Sequence, residues 1–237
     1  MSMVCMLLKD FYTLDGELIR FSREQASRFA KEVAGDFNPI HDVDAKRFCV
    51  PGDLLFSVML DRHGLSQHMK ATFVGMITEA SAVATNVCSK EICLSSEDKP
   101  CVEATRSGDI TTESAKIEQF VAAYVAYSGE SFPTLLVPLM RKEGVMINPQ
   151  RPMVMYTDMS VQLDTLEFTT LTIKPAASSF DVQGKRGNVT LGFEFFDGAK
   201  KVGSGQKCMV LSGLREFDEA AMYDVINSYN AKRYEAA

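Results

Sequence analysis

An aspartate and a histidine lie five residues apart in the segment Gly35-Asp36-Phe37-Asn38-Pro39-Ile40-His41. A carboxylate and an imidazole are a candidate general acid–base pair, because each can take up or release a proton during a reaction. Gly35, Asn38 and Pro39 predict an irregular turn that presents both side chains. The alternative interpretation is an ordinary Asx-Pro turn, in which Asp36 or Asn38 only caps the segment that follows.

A second candidate feature follows at Pro51-Gly52, where a long apolar run begins. Proline suits the first turn of a helix. Residues 54–60 are apolar apart from Ser57, which predicts a buried helix. Strand-like runs rich in Val, Thr, Ile and Cys follow, and they would have to wrap around that helix. They are predicted at 71–78, 82–94 and 100–110.

The elements before the turn are predicted from local signals. Asp15-Gly16 within residues 11–21 predicts a strand or hairpin. The pattern Ser22-x-x-Gln25 is typical of a capping box, and apolar spacing after it predicts a helix over 23–34 that Gly35 ends.

The second half of the chain is predicted to repeat this order. A helix over 113–127 should end at Ser128-Gly129, and a second apolar helix should span 134–143. Asp197-Gly198 predicts a hairpin, and residues 216–234 predict an amphipathic surface helix. The later strands are predicted at 153–164, 168–176, 178–184, 188–197 and 201–213.

The two halves can be aligned as a degenerate duplication with a boundary near residue 111. Residues 28–39 match 119–133, and the apolar helix 51–63 matches 134–143. The second copy contains Glu130 but no histidine at the corresponding turn. We therefore predict two similar halves, 1–111 with the Asp–His pair and 112–237 without it.

Composition narrows the classes of function. The chain has 237 residues and a net charge of −6, which argues against a nucleic-acid partner. Six cysteines without a C-x-x-C pair, and only three histidines, give no zinc-ligand spacing, so free thiols and a cytoplasmic protein are expected. No apolar run approaches the roughly 20 residues that cross a bilayer, and the apolar run at residues 3–8 is expected to be too short for a signal peptide.

The segment from Phe29 to Gly52 resembles the motif of the R-specific enoyl-CoA hydratases, the MaoC-like dehydratases. The resemblance covers residues 22–60, with Gly35, Asp36, Asn38, Pro39 and His41 matching position by position. It implies an α+β hotdog fold, here a fused double hotdog in which an antiparallel sheet wraps around central helices. The chain also resembles an uncharacterised bacterial family grouped under a domain of unknown function.

The resemblance implies a hydratase or dehydratase acting on a 2-enoyl thioester of CoA or a carrier protein. Asp36 and His41 would activate water, Asn38 would shape the turn beside the substrate, and the backbone N–H groups of Gly52 and Asp53 would bind the thioester oxygen. No cofactor or metal is implied, and a homodimer is compatible with the fold.

Two departures affect this interpretation. Pro51 replaces the family's histidine, and the Asp53 carboxylate would compete with the substrate oxygen. Thioester hydrolysis and non-catalytic acyl-CoA binding therefore remain as alternatives.

Some further residues have an ordinary structural interpretation. His63 and His68 are expected at the surface or at a helix end, and Ser128 in a plain loop rather than as a nucleophile. Four basic residues would bind CoA phosphates or simply be solvated: Lys46, Arg47, Lys185 and Arg186.

Overall fold

A computed structural model describes residues 8–235 of the chain, so Cys5 and its predicted free thiol lie outside the described residues. Within that range, ten strands form one sheet in the order β1-β2-β4-β5-β6-β3-β8-β11-β10-β9, and every neighbouring pair is antiparallel. A short second sheet pairs β7 with β12. The strands are β1 (Thr13–Asp15), β2 (Leu18–Arg20), β3 (Leu65–Phe73), β4 (Val83–Val87), β5 (Glu91–Ser96), β6 (Lys99–Thr111), β7 (Val145–Met146), β8 (Val154–Leu163), β9 (Leu171–Gln183), β10 (Arg186–Asp197), β11 (Lys200–Ser212) and β12 (Arg215–Glu216).

Helices pack against this sheet. Short 3-10 turns span Leu8–Phe11 and Pro39–His41, and π-helical segments span Phe29–Ala34 and Phe132–Leu136. The α-helices are α1 (Arg23–Arg28), α2 (Gly52–His63), α3 (Ser114–Ser131), α4 (Val137–Lys142) and α5 (Glu219–Glu235).

The first helix forms as its signals predict. Ser22 and Gln25 make both bonds of the capping box. The helix extends to Ala34, although its last six residues are π-helical, and Gly35 ends it with a φ of 65°. Glycine adopts this left-handed conformation at little cost, so the turn that carries Asp36 begins at a well-defined point.

Helix α2 is the central helix of the N-terminal half. Residues 53–60 are all buried, which is why the run lacks a polar stripe. Its side chains share one apolar core with β3, β5 and β6. The N-terminal half therefore has the predicted arrangement of a sheet around a buried helix.

Helix α3, and not the predicted helix over 134–143, has the corresponding position in the C-terminal half. Phe120 packs on Phe195 of β10 at 5.5 Å between ring centroids, and Tyr127 packs on Phe193 at 5.1 Å. Phe56 of α2 contacts Tyr124 of α3 at 5.8 Å. The two central helices thus pack on each other inside a sheet that β3 and β8 join across the halves. The protein is an α+β double hotdog, as expected.

Several predicted boundaries are wrong. The run at 82–94 is two strands, β4 and β5, whereas 168–176 and 178–184 are one strand, β9. The strand predicted at 71–78 begins earlier, at Leu65, and ends at Phe73. The hairpin predictions at Asp15-Gly16 and Asp197-Gly198 are confirmed.

Ser128-Gly129 does not end a helix. Helix α3 continues to Ser131, and a π-helical segment links it to α4. A side chain at Gly129 would overlap the carbonyl oxygen of Ala34. Glycine is present here because the backbone of the first helix approaches closely, and a helix stop is not its role.

Helix α5 is not simply a surface helix. The Tyr229 hydroxyl lies 2.9 Å from the carbonyl oxygens of both Gly35 and Gly129. Tyr229 also packs its ring against Phe37 and Phe132. Helix α5 is therefore tied to both halves. Among the described residues, no helix combines the length and hydropathy of a membrane span.

Candidate functional site

Asp36 and His41 face each other across the turn that follows the first helix. His41 Nε2 lies 3.7 Å from Asp36 Oδ2, with the imidazole largely buried and the carboxylate about one-quarter exposed. The other carboxylate oxygen, Asp36 Oδ1, accepts from the Asn38 N–H at 2.9 Å. One oxygen therefore shapes the turn, and the other is directed towards the imidazole.

The turn also sets the tautomer of His41. Nδ1 lies 2.7 Å from the carbonyl oxygen of Cys49. Because a carbonyl oxygen only accepts, Nδ1 carries the proton of this bond. In the neutral ring Nε2 is then an acceptor that faces Asp36.

Asn38 has a local role. Its Oδ1 accepts from the N–H of Ile40 at 3.3 Å and caps the 3-10 turn Pro39–His41. The Asx-turn interpretation thus describes the backbone correctly, and it is compatible with the Asp–His pair. Asn38 borders the cleft described next.

A cleft of about 720 Å³ opens between the halves. Asp36, His41 and Gly52 line it from the N-terminal half, and Ser128 and Tyr156 line it from the C-terminal half. Helix α5 covers part of it through Val225 and Tyr229. The cleft is mainly apolar, and its size suits a small organic ligand or an acyl chain.

The first turn of α2 borders this cleft. Its first intrahelical bond runs from the Leu55 N–H to the Pro51 carbonyl. The N–H groups of Gly52, Asp53 and Leu54 precede that bond and carry the positive end of the helix dipole. A β-carbon at Gly52 would lie 3.1 Å from the Phe73 ring and 3.4 Å from the Tyr156 ring, so glycine lets both rings approach the helix start.

The Asp53 side chain does not compete for this helix start. Asp53 is 3% exposed and does not line the cleft. Its carboxylate accepts from Lys207 Nζ at 2.8 Å and from the hydroxyls of Tyr124 and Ser128. The expectation of a competing carboxylate is therefore wrong, because these three donors of the C-terminal half hold it.

Lys207 lies at the centre of this buried cluster, which comprises Asp53, Tyr124, Ser128, Tyr156 and Lys207. Its Nζ also lies 2.5 Å from Ser128 Oγ and 3.0 Å from the Tyr156 hydroxyl. The ammonium rests 4.4 Å from the ring centroid of Tyr124 and 4.3 Å from that of Tyr156. Three acceptors match the three protons of an ammonium group.

The cluster shifts its own ionisation equilibria. Burial lowers the pKa of Lys207, while Asp53 and Asp36 oppose that shift. Burial, together with the charge of Asp53, raises the pKa of both Tyr124 and Tyr156 well above the usual value. The charge of Asp36 adds to the upward shift in the pKa of Tyr156. Both phenols are thus held protonated at neutral pH.

This cluster was not predicted from the sequence, although two signals for it exist. Lys207 shares the strand face of Met209 and Leu211, since side chains two apart point the same way. Tyr124 and Ser128 follow Phe120 at helical spacing on the buried face of α3. A lysine in a core register is informative, because lysine is rarely fully buried without a partner.

The remaining candidates lie elsewhere. Lys46, Arg47, Lys185 and Arg186 do not line the cleft, whereas Lys232 of α5 does. His63 ends α2 and His68 is exposed on β3. Within residues 8–235 no group of His, Cys, Asp or Glu side chains forms a metal site.

The fold and the cleft define a hotdog protein with an Asp–His pair between its two halves. The chain belongs to the family described as "Protein of unknown function (DUF3581)", whose model matches residues 6–220. No curated protein sequence matches it.

Solved structures with a similar fold include three distant examples. A protein of unknown function with a hot dog fold from Alicyclobacillus acidocaldarius is 10% identical, with a TM-score of 0.46 over 88% of this chain and 99% of that one. Acyl-CoA thioesterase II TesB2 from Mycobacterium marinum is 8% identical, with a TM-score of 0.44 over 90% and 99%. Peroxisomal multifunctional enzyme type 2 from Drosophila melanogaster is 10% identical, with a TM-score of 0.43 over 81% and 47%. At these identities the likeness concerns the fold alone.

Proposed function

We propose that this protein hydrolyses acyl thioesters, with Asp36 and His41 activating the attacking water. One observation carries the proposal: a single apolar cleft brings the Asp36–His41 pair together with the start of α2. The pair supplies acceptors for a water molecule, and the helix start supplies donors for a carbonyl oxygen. Thioester hydrolysis needs both.

The geometry of the pair suits one bridging water. Hydrogen bonds to water are about 2.8 Å long, and the two acceptor atoms are 3.7 Å apart. A water molecule on the cleft side can therefore donate to Asp36 Oδ2 and His41 Nε2 at once. Its oxygen lone pairs then point away from both acceptors, towards the substrate.

The reaction proceeds by addition and elimination. The water oxygen forms a bond to the thioester carbon while His41 Nε2 takes the proton, and the carbonyl oxygen becomes an oxyanion beside Gly52. Collapse of this intermediate breaks the carbon–sulfur bond. The thiolate leaves with the bonding electrons and takes the proton from His41, which leaves a carboxylic acid and a thiol.

The proton transfers that the two reactions require favour hydrolysis over hydration. In both reactions one proton, the one that His41 Nε2 takes from the water molecule, is returned only after the water has attacked. Hydrolysis tolerates this, because a thiolate, whose conjugate thiol has a pKa of about 8.5, leaves without prior protonation. Hydration must deliver that proton to the α carbon, which takes up a proton more slowly than the enolate oxygen does.

Hydration of a 2-enoyl thioester is the second candidate. The observation in its favour is the match of Gly35, Asp36, Asn38, Pro39 and His41 to the motif of the R-specific hydratases. The same water would then attack carbon 3 of the substrate instead of the carbonyl carbon.

An acyl-CoA is the substrate that we propose first. The cleft mouth carries the apolar side chains of Val74, Met76 and Met155, each more than one-third exposed. These suit an acyl chain, and Lys232, an exposed residue that also lines the cleft, suits a phosphate group. An acyl chain on a carrier protein would present the same thioester.

One assay separates the candidates. Purified protein is offered saturated and 2-enoyl CoA thioesters, while free thiol and enoyl absorbance are both followed. Thiol release supports hydrolysis, whereas loss of enoyl absorbance without thiol supports hydration. Asp36→Asn should lower either rate at least about 100-fold.

The matched control is Asp44→Asn, which changes an exposed aspartate of the following loop. It should leave the rate unchanged. Saturable acyl-CoA binding without either reaction would overturn both enzyme proposals and leave a binding protein. Equal rates in the Asp36→Asn variant and the wild type would exclude this pair as the water-activating site.

A further inference from the structure

The buried cluster borders the cleft through two of its residues, Tyr156 and Ser128, and Tyr156 is the more exposed of the two. Tyr156 is partly exposed and lines the cleft, while Asp53 and Lys207 are 3% and 1% exposed. The Tyr156 ring also lies against the first residue of α2, since a β-carbon on Gly52 would be 3.4 Å from its Cδ2 atom. Tyr156 thus adjoins the helix start that borders the cleft.

The protons of the cluster can be assigned one by one. Lys207 donates to Asp53, Ser128 and Tyr156. Tyr124 and Ser128 donate to the two oxygens of Asp53. Tyr156 is then the one hydroxyl of the cluster whose proton Asp53 does not require.

This assignment argues against Ser128 as a nucleophile. Its proton is committed to Asp53, and Lys207, acting as a threefold donor, has no lone pair with which to remove it. Ser128 Oγ and the Tyr156 hydroxyl lie 2.7 Å apart. The serine can therefore accept the tyrosine proton until a better acceptor enters the cleft.

The Tyr156 hydroxyl is also a strengthened donor. Its oxygen accepts from the Lys207 ammonium at 3.0 Å, and a hydrogen bond received from a cation polarises the next bond in the chain. The raised pKa of Tyr156 keeps the phenol protonated, so it can donate throughout the neutral range.

We propose that Tyr156 donates a hydrogen bond to the acyl carbonyl oxygen of the ligand in the cleft, with Lys207 and Ser128 as positioning residues for that hydroxyl. This proposal depends on the proposed function, and it identifies one contact between the protein and the acyl group of the substrate. The Asp36–His41 pair of the N-terminal half activates the water molecule. Tyr156 of the C-terminal half polarises the carbonyl group that this water attacks. Such a donor strengthens as charge develops on the oxygen.

The test uses the ketone analogue of octanoyl-CoA, in which a methylene group replaces the thioester sulfur. The carbonyl stretch of the bound, isotope-labelled analogue is recorded by difference infrared spectroscopy for the wild type and for Tyr156→Phe. We expect a shift to lower wavenumber on binding to the wild type, and a clearly smaller shift with Tyr156→Phe. With thioester substrates the variant should lose about 100-fold in kcat with little change in KM.

The matched control is Tyr127→Phe. Tyr127 is buried in the same half, donates to the Gly192 carbonyl at 3.2 Å and does not line the cleft. It should leave the carbonyl shift and kcat unchanged. An identical carbonyl shift in Tyr156→Phe and the wild type would overturn the proposal while leaving hydrolysis intact. Failure of the wild type to bind the analogue would overturn the proposed function as well.

Discussion

At the scale of single residues, the buried ion pair of Asp53 and Lys207 is the most consequential feature. Each charge lost its hydration on burial. The Asp53 carboxylate is compensated by donors of the C-terminal half, and the counter-charge of Lys207 comes from the N-terminal half. Removing one member leaves the other charged and unpaired in an apolar surrounding, which typically costs more than the pair contributes. The pair therefore makes each half depend on the other.

Lys207→Met is expected to lower the free energy of unfolding by about 3–5 kcal/mol, because Asp53 loses its counter-charge. Lys201→Met provides the matched control. Lys201 lies on the same strand as Lys207, and its ammonium is 2.6 Å from Glu194 of β10. About half of the lysine side chain is exposed, so the loss should stay below about 1 kcal/mol. Urea unfolding measures both values. The double variant Asp53→Asn with Lys207→Met should recover part of the lost free energy of unfolding. Equal losses for Lys207→Met and Lys201→Met would contradict a special role for the buried ion pair.

The residues of the candidate site differ in how far the sequence reveals them. Asp36, His41 and Gly52 lie within about twenty residues of one another, so local motif and turn chemistry predict their grouping. Lys207 is separated from Asp53 by 154 positions. Such a pairing depends on the strand register across the sheet, which a single sequence does not specify. The cluster was therefore missed although its members have recognisable patterns.

At the scale of elements, the contact between α3 and the first helix decides the local geometry of the site. The backbone of Ala34 passes so close to Gly129 that a side chain there would overlap it. The Tyr229 hydroxyl of α5 reaches the carbonyl oxygens of Gly35 and Gly129 at this same point. Three helices thus meet one residue before Asp36.

Gly129→Ala tests this close approach, because two effects predict opposite signs. Helix propensity alone would stabilise the variant by about 1 kcal/mol. The overlap with the Ala34 backbone should instead destabilise it by at least about 2 kcal/mol and displace Asp36. Ala126→Gly, at an exposed position of α3, should cost about 1 kcal/mol through propensity alone. Thermal unfolding that shows Gly129→Ala to be more stable than the wild type would rule out the contact.

Element prediction succeeded where the signal is local and failed where packing decides. The capping box at Ser22 and the hairpin at Asp197-Gly198 were correctly predicted from a few adjacent residues. Ser128-Gly129 was interpreted as a helix stop, yet its glycine serves a contact with a helix about ninety-five positions away. Glycine alone does not distinguish these two uses.

At the scale of the whole molecule, the two central helices and the continuous sheet form one core. The first core cluster contains residues from Leu8 to Val202, and β3 pairs directly with β8 across the halves. Buried tyrosines are distributed through both halves of this core and around the cleft. Their ionisation therefore reports on the cooperativity of the complete fold.

The stability of the protein is expected to fall steeply above pH 10. Burial raises the pKa of Tyr127 to about 12, and it also raises the pKa of Tyr124, Tyr156 and Tyr229. A group whose folded pKa exceeds its unfolded value contributes stability that is complete below the unfolded pKa and is lost as the pH rises through the folded one. Lys207 acts in the opposite direction, because its lowered pKa makes stability rise with pH up to its unfolded value of 10.5. Above that value only the tyrosine contribution remains, so the net slope is negative.

Urea unfolding at a series of pH values measures this slope, and Tyr127→Phe isolates one contribution to it. Between pH 10 and about 12, the range over which Tyr127 titrates in the unfolded and folded states, the variant should show a shallower loss of stability. The difference should be at most about 1.4 kcal/mol per pH unit, the value for one proton. Identical slopes for the wild type and Tyr127→Phe would mean that the Tyr127 phenol ionises equally well in the folded and unfolded chains. Because Tyr127 is buried against β10, we expect the slopes to differ. A single unfolding transition at each pH is also required, because Tyr12, Tyr124 and Tyr127 belong to one apolar core that spans both halves.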